Sequence, residues 1–428
     1  MRKLLKWRSV CDIITMHFSI LNRRICSRDR FVVVAHRCIH FFSAKQNIVG
    51  SATCENDRSL CGMGKRVLIL GNSGLVVFGM RGELIQRLIA EGYEVVVSFP
   101  NGILGEGEQQ AKEYGCRHIE IFIDRRGTNV FRDAALLRSY VKLIKEVKPD
   151  VVLTYTVKCT IYGGMACRIL KVPYIPNITG LGKGLAEGGF RQKLLVLLYK
   201  LGVRSANCVF FQNLQDRRFF RDQGIKYQRD DILPGSGVNL EKFVPIEYPV
   251  DDKIVFTYIA RVMKTKGIDE FLEAAKALKQ KHANVEFHVC GFYEDDYKDI
   301  IETAEKEGIV QYHGQVNDVR PFERISHCIV LPTYHPEGVS NVLLEAAACA
   351  RPIITTNRPG CADVVDDGVN GYLIREKDSQ DLLQKMQKFM ELPWQTRRDM
   401  GLAGRRKVER EFDRQIVVRK YLDYIRKI

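Results

Sequence analysis

The chain has 428 residues, enough for two or three domains with well-buried cores, and an ordinary apolar content of 46%. No stretch approaches the ~18 uninterrupted apolar residues that a membrane-spanning helix needs, so the composition reads as a soluble or peripheral protein. The formal charge of +15 is uneven, with +7 on residues 1–62, +9 on 63–250 and −1 on 251–428, which points to an anionic partner for the first half: nucleic acid, an anionic membrane or a phosphorylated substrate.

Residues 1–62 hold five of the thirteen cysteines and sustain neither helical nor strand periodicity. Asp12 and His17 interrupt the apolar stretch, so a signal peptide fits poorly. His36, Cys38 and His40 lack a fourth metal ligand. The cysteines form no C-x-x-C pair, which argues against a zinc framework or a disulfide scaffold and suits a reducing, cytoplasmic compartment. This leader is expected to lie outside the functional protein, with Met63 as its start.

From Lys65 strands and helices alternate. Val67–Leu70 is an apolar run that enters a Gly-rich loop holding Gly71, Gly74, Gly79 and Gly82, followed by helix Glu83–Glu91 and strand Tyr93–Ser98. Helix Arg132–Val147, strand Val151–Tyr155, helix Ile161–Leu170 and strand Tyr174–Ile175 come next. Helix Phe190–Arg204, strand Cys208–Gln212 and helix Leu214–Gln223 close the half. Leu233–Gly237 through Pro249 reads as an interdomain connection. A second series opens with strand Ile254–Ile259 and helix Ile268–Gln280, and includes strand Cys328–Leu331 and helix Ser340–Cys349. The last ~50 residues read as helical, ending in the amphipathic Phe412–Ile428. This rhythm predicts two doubly wound parallel sheets with a cleft between them. The expected domains are 63–240, 251–410 and a terminal helix over 411–428.

Two segments carry candidate chemistry. In Pro336–Glu345, Glu337 sits at a loop tip, Gly338 permits close backbone approach to a ligand, and Ser340 is a good N-cap. The N–H groups of the following helical turn suit a phosphate. Glu345 lies further along the helix, so the two carboxylates could hold hydroxyls at two depths, although acidic residues favour first helical turns in any case. In Ala260–Gly267, Arg261 and Lys266 bracket a loop at the carboxyl end of a strand, where phosphates bind in such folds; surface loops often hold such cations too.

These segments resemble the retaining glycosyltransferase family four (glycosyl transferases group 1) of GT-B fold. The resemblance runs from about Lys65 to the C-terminus. It rests on the E-x7-E pair Glu337 and Glu345, the R-x4-K-G of Arg261, Lys266 and Gly267, and Gly235-Ser236-Gly237-Val238-Asn239. Pro359-Gly360 and Gly368-Val369-Asn370-Gly371 add to it. It implies two Rossmann-like domains facing across a cleft, with the C-terminal helix packing back towards the first.

The resemblance also implies site roles. Arg261 and Lys266 would hold the donor diphosphate and Glu345 the ribose. Glu337, with the backbone of Gly338, Val339, Ser340 and Asn341, would orient the sugar. The loop around Gly79 would close over the pyrophosphate, and no metal or other cofactor is implied. Tyr155–Gly163 and Asn177–Gly182 are similar to the branch that builds capsular or O-antigen-type polysaccharides on lipid carriers. Cys159 replaces that branch's usual proline, and Lys158 stands where many relatives carry histidine, which makes it a candidate for the reaction centre or the acceptor phosphate. An ordinary cleft-rim lysine is the bland alternative.

The expected activity is transfer of a hexose or N-acetylhexosamine from a nucleotide sugar, UDP-linked, to a polyprenyl-diphosphate-linked saccharide. Its expected place is the inner face of the cell membrane. Helix Phe190–Arg204, with Arg191, Lys193, Lys200 and Arg204 around an apolar middle, either lies on that membrane or packs within the first domain. An epimerase or phosphorylase of the same fold is a further alternative. An NAD-dependent oxidoreductase fits less well, since G-x-G-x-x-G is absent and Val97-Ser98-Phe99 offers no ribose carboxylate. No interleaved aromatic pattern or recognised module supports nucleic-acid binding.

Overall fold

The computed structural model describes residues 64–101, 106–124, 127, 129–182, 185, 188–250, 252–336 and 338–428. The expected leader over 1–62 and the candidate Glu337 lie outside them.

The first lobe holds seven strands: β1 (Arg66–Leu70), β2 (Glu94–Ser98), β3 (Arg117–Ile119), β4 (Val151–Tyr155), β5 (Tyr174–Ile178), β6 (Val209–Phe211) and β7 (Asp230–Ile232). They lie in the order β3-β2-β1-β4-β5-β6-β7, and every pair is parallel. Helices α1 (Met80–Ala90), α2 (Glu106–Tyr114), α3 (Val130–Val147), α4 (Gly164–Leu170), α5 (Gly189–Val203) and α6 (Leu214–Asp222) accompany them. The central strands β4 and β5 are buried along their whole length, as expected where helices cover both faces of a sheet. Asn129 caps α3, its Oδ1 accepting from the backbone N–H groups of Phe131 (2.9 Å) and Arg132 (3.2 Å).

The second lobe repeats the plan with β8 (Ile254–Ile259), β9 (Val285–Cys290), β10 (Gln311–Tyr312), β11 (Cys328–Leu331), β12 (Ile353–Thr356) and β13 (Gly371–Ile374). Their order is β10-β9-β8-β11-β12-β13, again all parallel. Its helices are α7 (Ile268–Lys279), α8 (Lys298–Lys306), α9 (Arg320–Ile325), α10 (Asn341–Ala348), α11 (Ser379–Met390) and α12 (Trp394–Glu411). In each sheet the winding reverses beside the first strand, between β1 and β4 and between β8 and β11. Loops leaving the carboxyl ends of such strand pairs splay apart and leave a crevice for ligands. The segments there are those that follow β1, β4, β8 and β11, and they contain Gly79, Lys158, the Ala260–Gly267 segment and Gly338–Asn341.

The final helix, α13 (Arg414–Ile425), returns to the first lobe. Its Val417, Val418, Tyr421, Leu422 and Ile425 are buried in the cluster that contains Val67, Ile69, Val97 and Phe210. Tyr421 meets Phe210 edge-on at 4.8 Å, and its hydroxyl accepts from Asn177 Nδ2 at 2.9 Å. The chain thus passes between lobes twice, and the passages touch. Val238 N–H donates to Phe412 O (2.9 Å) and Arg414 N–H to Val238 O (3.0 Å).

One expectation is corrected. The Gly71–Gly82 segment is largely helical rather than a loop, with a π-helical turn over Leu75–Gly79 running directly into α1. Its glycines serve packing: a Cβ on Gly82 would lie 2.6 Å from the Tyr114 hydroxyl, and one on Gly71 would lie 2.5 Å from Val77 Cγ2. Strands β3 and β7 and helix α2 were not legible. Both strands have three residues, and β7 begins with two aspartates.

Candidate active site

The two motif loops of the second lobe are joined at the carboxyl ends of adjacent strands. After β8 the chain makes a short 3₁₀ turn over Lys264–Lys266 and leaves it through Gly267 at φ +79°. A Cβ on Gly267 would lie 2.1 Å from Pro332 O, so the loop presses against the start of the loop after β11. Tyr334 N–H donates to Thr265 O (2.9 Å), and the Thr265 hydroxyl meets His335 Nδ1 at 3.0 Å. Arg261 leans on Glu294 at 3.5 Å with its side chain partly exposed, while Lys266 is buried.

The loop before α10 then crosses to the first lobe. Gly338 N–H donates to Thr179 O (3.1 Å), and a Cβ on Gly338 would lie 2.1 Å from Gln212 Oε1. Val339 and Ser340 are buried, and Val339 packs on Gly235 of the connection. Ser340 occupies the N-cap of α10 without a side-chain capping bond, leaving its hydroxyl uncommitted to the helix. Asn341 Nδ2 reaches Met80 Sδ at 3.8 Å. Gln212 Nε2 and Asn341 Oδ1 are buried with no hydrogen-bond partner among the described residues. Orphaned polar atoms are costly in an interior, and here they lie where a polar ligand would pair them.

Glu345 is half-buried on α10, and its carboxyl is pushed up to about 7 by burial and by the charge of Glu323, against the pull of Arg414 and Lys242. Arg414 is also a fastening. Its guanidinium donates to Gly237 O (3.2 and 3.1 Å), Gly79 O (3.2 Å) and Glu83 Oε1 (3.1 Å). Gly79 therefore sits at the end of the π-helical turn with its carbonyl tied to α13. It also lines a cavity of about 410 Å³ at the carboxyl ends of β1 and β2. Lys158, after β4, donates to Asp133 Oδ1 (2.6 Å), whose other oxygen accepts from the Tyr162 hydroxyl (2.8 Å). The structure thus brings Gly338–Asn341 against the first lobe and keeps Lys158 in an ion pair.

Sequence reasoning missed Asp216. Together with Gln192, Asn213, Pro336 and Arg358 it lines a cavity of about 330 Å³ between the lobes. Asn213 is the N-cap of α6, accepting from Asp216 N–H (2.8 Å), and its Nδ2 donates to Asp216 Oδ2 (3.2 Å). Burial pushes the Asp216 carboxyl up to about 7 despite that bond and the charge of Arg358. A raised native value means that the folded protein holds a proton that the unfolded chain has lost. The group's unfavourable contribution therefore grows as pH rises towards about 7 and levels off above it. Asp216→Asn is expected to raise the melting temperature most above about pH 7 and least near pH 5. Melting scans across that range check this, and a pH-independent difference would refute it. The N-x-x-D spacing of Asn213 and Asp216 was the available signal.

Among the described residues no group of three His, Cys, Asp or Glu side chains could hold a metal ion, and no helix is long and apolar enough to cross a membrane. Residues 241–407 match the family described as glycosyl transferases group 1, and residues 66–213 match that described as glycosyl transferase 4-like. The chain is a glycosyltransferase of GT-B fold. The glycosyltransferase is 27% identical over 380 residues to the N,N'-diacetylbacillosaminyl-diphospho-undecaprenol alpha-1,3-N-acetylgalactosaminyltransferase of Campylobacter jejuni, covering 83% of this chain and 97% of that protein. It is 26% identical to the capsular polysaccharide biosynthesis glycosyltransferase CapM of Staphylococcus aureus, over 74% of this chain and 86% of that one. Its fold matches that of Anabaena HepE, solved in complex with UDP and glucose, with a TM-score of 0.70 at 16% identity over 85% of this chain and 100% of that one.

Proposed function

We propose that this glycosyltransferase moves a hexose or N-acetylhexosamine, with retention of anomeric configuration, from a UDP-linked donor to a polyprenyl-diphosphate-linked saccharide. The product would enter cell-surface polysaccharide synthesis at the inner face of an anionic membrane. Residues 63–240 form the acceptor domain, 251–410 the donor domain, and 411–428 the returning helix. The observation that carries the reading is the fastening of the Arg261–Gly267 loop to the Pro332–Ser340 loop at the winding reversal of the second sheet. The C. jejuni relative's lipid-diphosphate substrate and the UDP and glucose bound by HepE support the choice of substrates.

Arg261 and Lys266 take the donor diphosphate, Glu345 the ribose hydroxyls, and Glu337 with the Gly338–Asn341 backbone the sugar. Gly79 lies on the pyrophosphate's far side. Lys158, oriented by Asp133, faces the acceptor phosphate or the reaction centre. As the glycosidic bond breaks, negative charge builds on the departing diphosphate. Fixed cations and the N–H groups that open α10 stabilise this charge more in the transition state than in the ground state. The acceptor hydroxyl attacks the anomeric carbon from the face the diphosphate leaves and passes its proton to a departing phosphate oxygen, so no carboxylate nucleophile is required.

UDP-sugar at a hundred times its Kd is expected to stabilise the protein by about 2.7 kcal/mol, seen as a raised melting temperature. Ribose hydroxyls donating to Glu345 favour its charged form, so binding near pH 7 releases protons. Calorimetry in buffers of different ionisation enthalpy reads this release, and Glu345→Gln removes it. A nucleotide found outside the cleft in a UDP-soaked crystal would overturn the reading.

A further inference from the structure

Among the described residues the outer face of α5 is apolar and exposed. Phe190, Leu194, Leu197 and Leu201 are 80%, 44%, 53% and 40% exposed. At about 100° per residue they fall within an arc of about 60°. Lys193, Lys200 and Arg204 line one flank of that arc and Arg191 the other, and the helix contains no acidic residue. The opposite face, with Val196, Tyr199 and Val203, is buried in the first lobe's core. Packing within the first domain thus accounts for one face of this helix and leaves the apolar face outside it. A second exposed apolar pair lies on the same lobe. Helix α3 packs against α4 as α5 does, and opens with Val130 and Phe131, 76% and 87% exposed.

We infer that the α5 face is the surface by which the protein docks on an anionic lipid bilayer, its leucines entering the acyl boundary and its four cations meeting lipid phosphates. Charge selects this occupant. A row of apolar side chains flanked only by cations matches an anionic interface, where long basic side chains bury their stems and keep their charged ends at the headgroups. Its position adds a reason. Helix α5 starts at the cleft: Gln192, two residues beyond Phe190, donates to Leu185 O (2.7 Å) and lines the 330 Å³ cavity between the lobes. A lipid-linked acceptor anchored in that bilayer would present its headgroup at the cavity mouth; this last step alone rests on the proposed function.

The test is flotation of the full chain with phosphatidylglycerol-rich vesicles and with pure phosphatidylcholine vesicles. Wild type is expected to float with the first and much less with the second. Leu194→Gln/Leu197→Gln is expected to abolish flotation. Lys193→Gln and Arg204→Gln are each expected to weaken it about fivefold. UDP-sugar binding in solution, followed by thermal shift, is expected to stay at the wild-type level in all variants. Variants that float like wild type, or a wild type that ignores both vesicles, overturn the inference. So does a wild-type dimer in sedimentation that Leu194→Gln/Leu197→Gln dissociates, since a second copy would then cover the face. Vesicle binding without nucleotide binding would leave the inference standing and remove the proposed function.

Discussion

Lys266→Met is expected to lower kcat by about 10²–10³-fold while the far-ultraviolet spectrum and the melting temperature stay close to wild type. Methionine keeps the stem packed in its buried position and removes the charge together with its N–H donors. The loss falls on kcat more than on KM because the diphosphate gains its extra charge only as it departs. Initial rates with a panel of UDP-sugars measure it. A variant within a few-fold of wild type would remove Lys266 from the site.

Gly267→Ala is expected to damage both stability and turnover. At φ +79° a side chain costs about 1–2 kcal/mol. The new methyl group would also meet Pro332 O at 2.1 Å, and forcing such overlap costs about 1–3 kcal/mol more. The sum is a large share of the roughly 5–15 kcal/mol that holds a typical domain together. Relief requires the loop carrying Lys266 to move away from the loop carrying Tyr334. Urea denaturation and activity are expected to fall together, and an unchanged midpoint would show that the two loops are not held as described.

Strands buried on both faces were readable because their sequences are predominantly apolar runs. Val151–Tyr155, Ile254–Ile259 and Cys328–Leu331 have the limits that the sequence suggested. The Gly71–Gly82 segment was misread because glycine marks both loops and close helix packing, and sequence alone does not display Tyr114 lying over Gly82. Within the site, the loops were legible as motifs, whereas their fastening was not. Nothing local marks Arg414 as the partner of Gly79, Gly237 and Glu83, because those contacts span up to 335 positions. Asp216 looked like an ordinary first-turn acid until the fold buried it between the lobes.

The paired passages at Val238 and Phe412–Arg414 act as a hinge pin. Two tethers fastened side by side permit one lobe to swing about a single axis and resist sliding or separation. Such an opening would break the Gly338–Thr179 bond across the cleft, and Arg414 with its bond to Glu83 lies at the pin itself. Donor entry and nucleotide exit would then share one rotational coordinate, so a change at the pin would alter both in step.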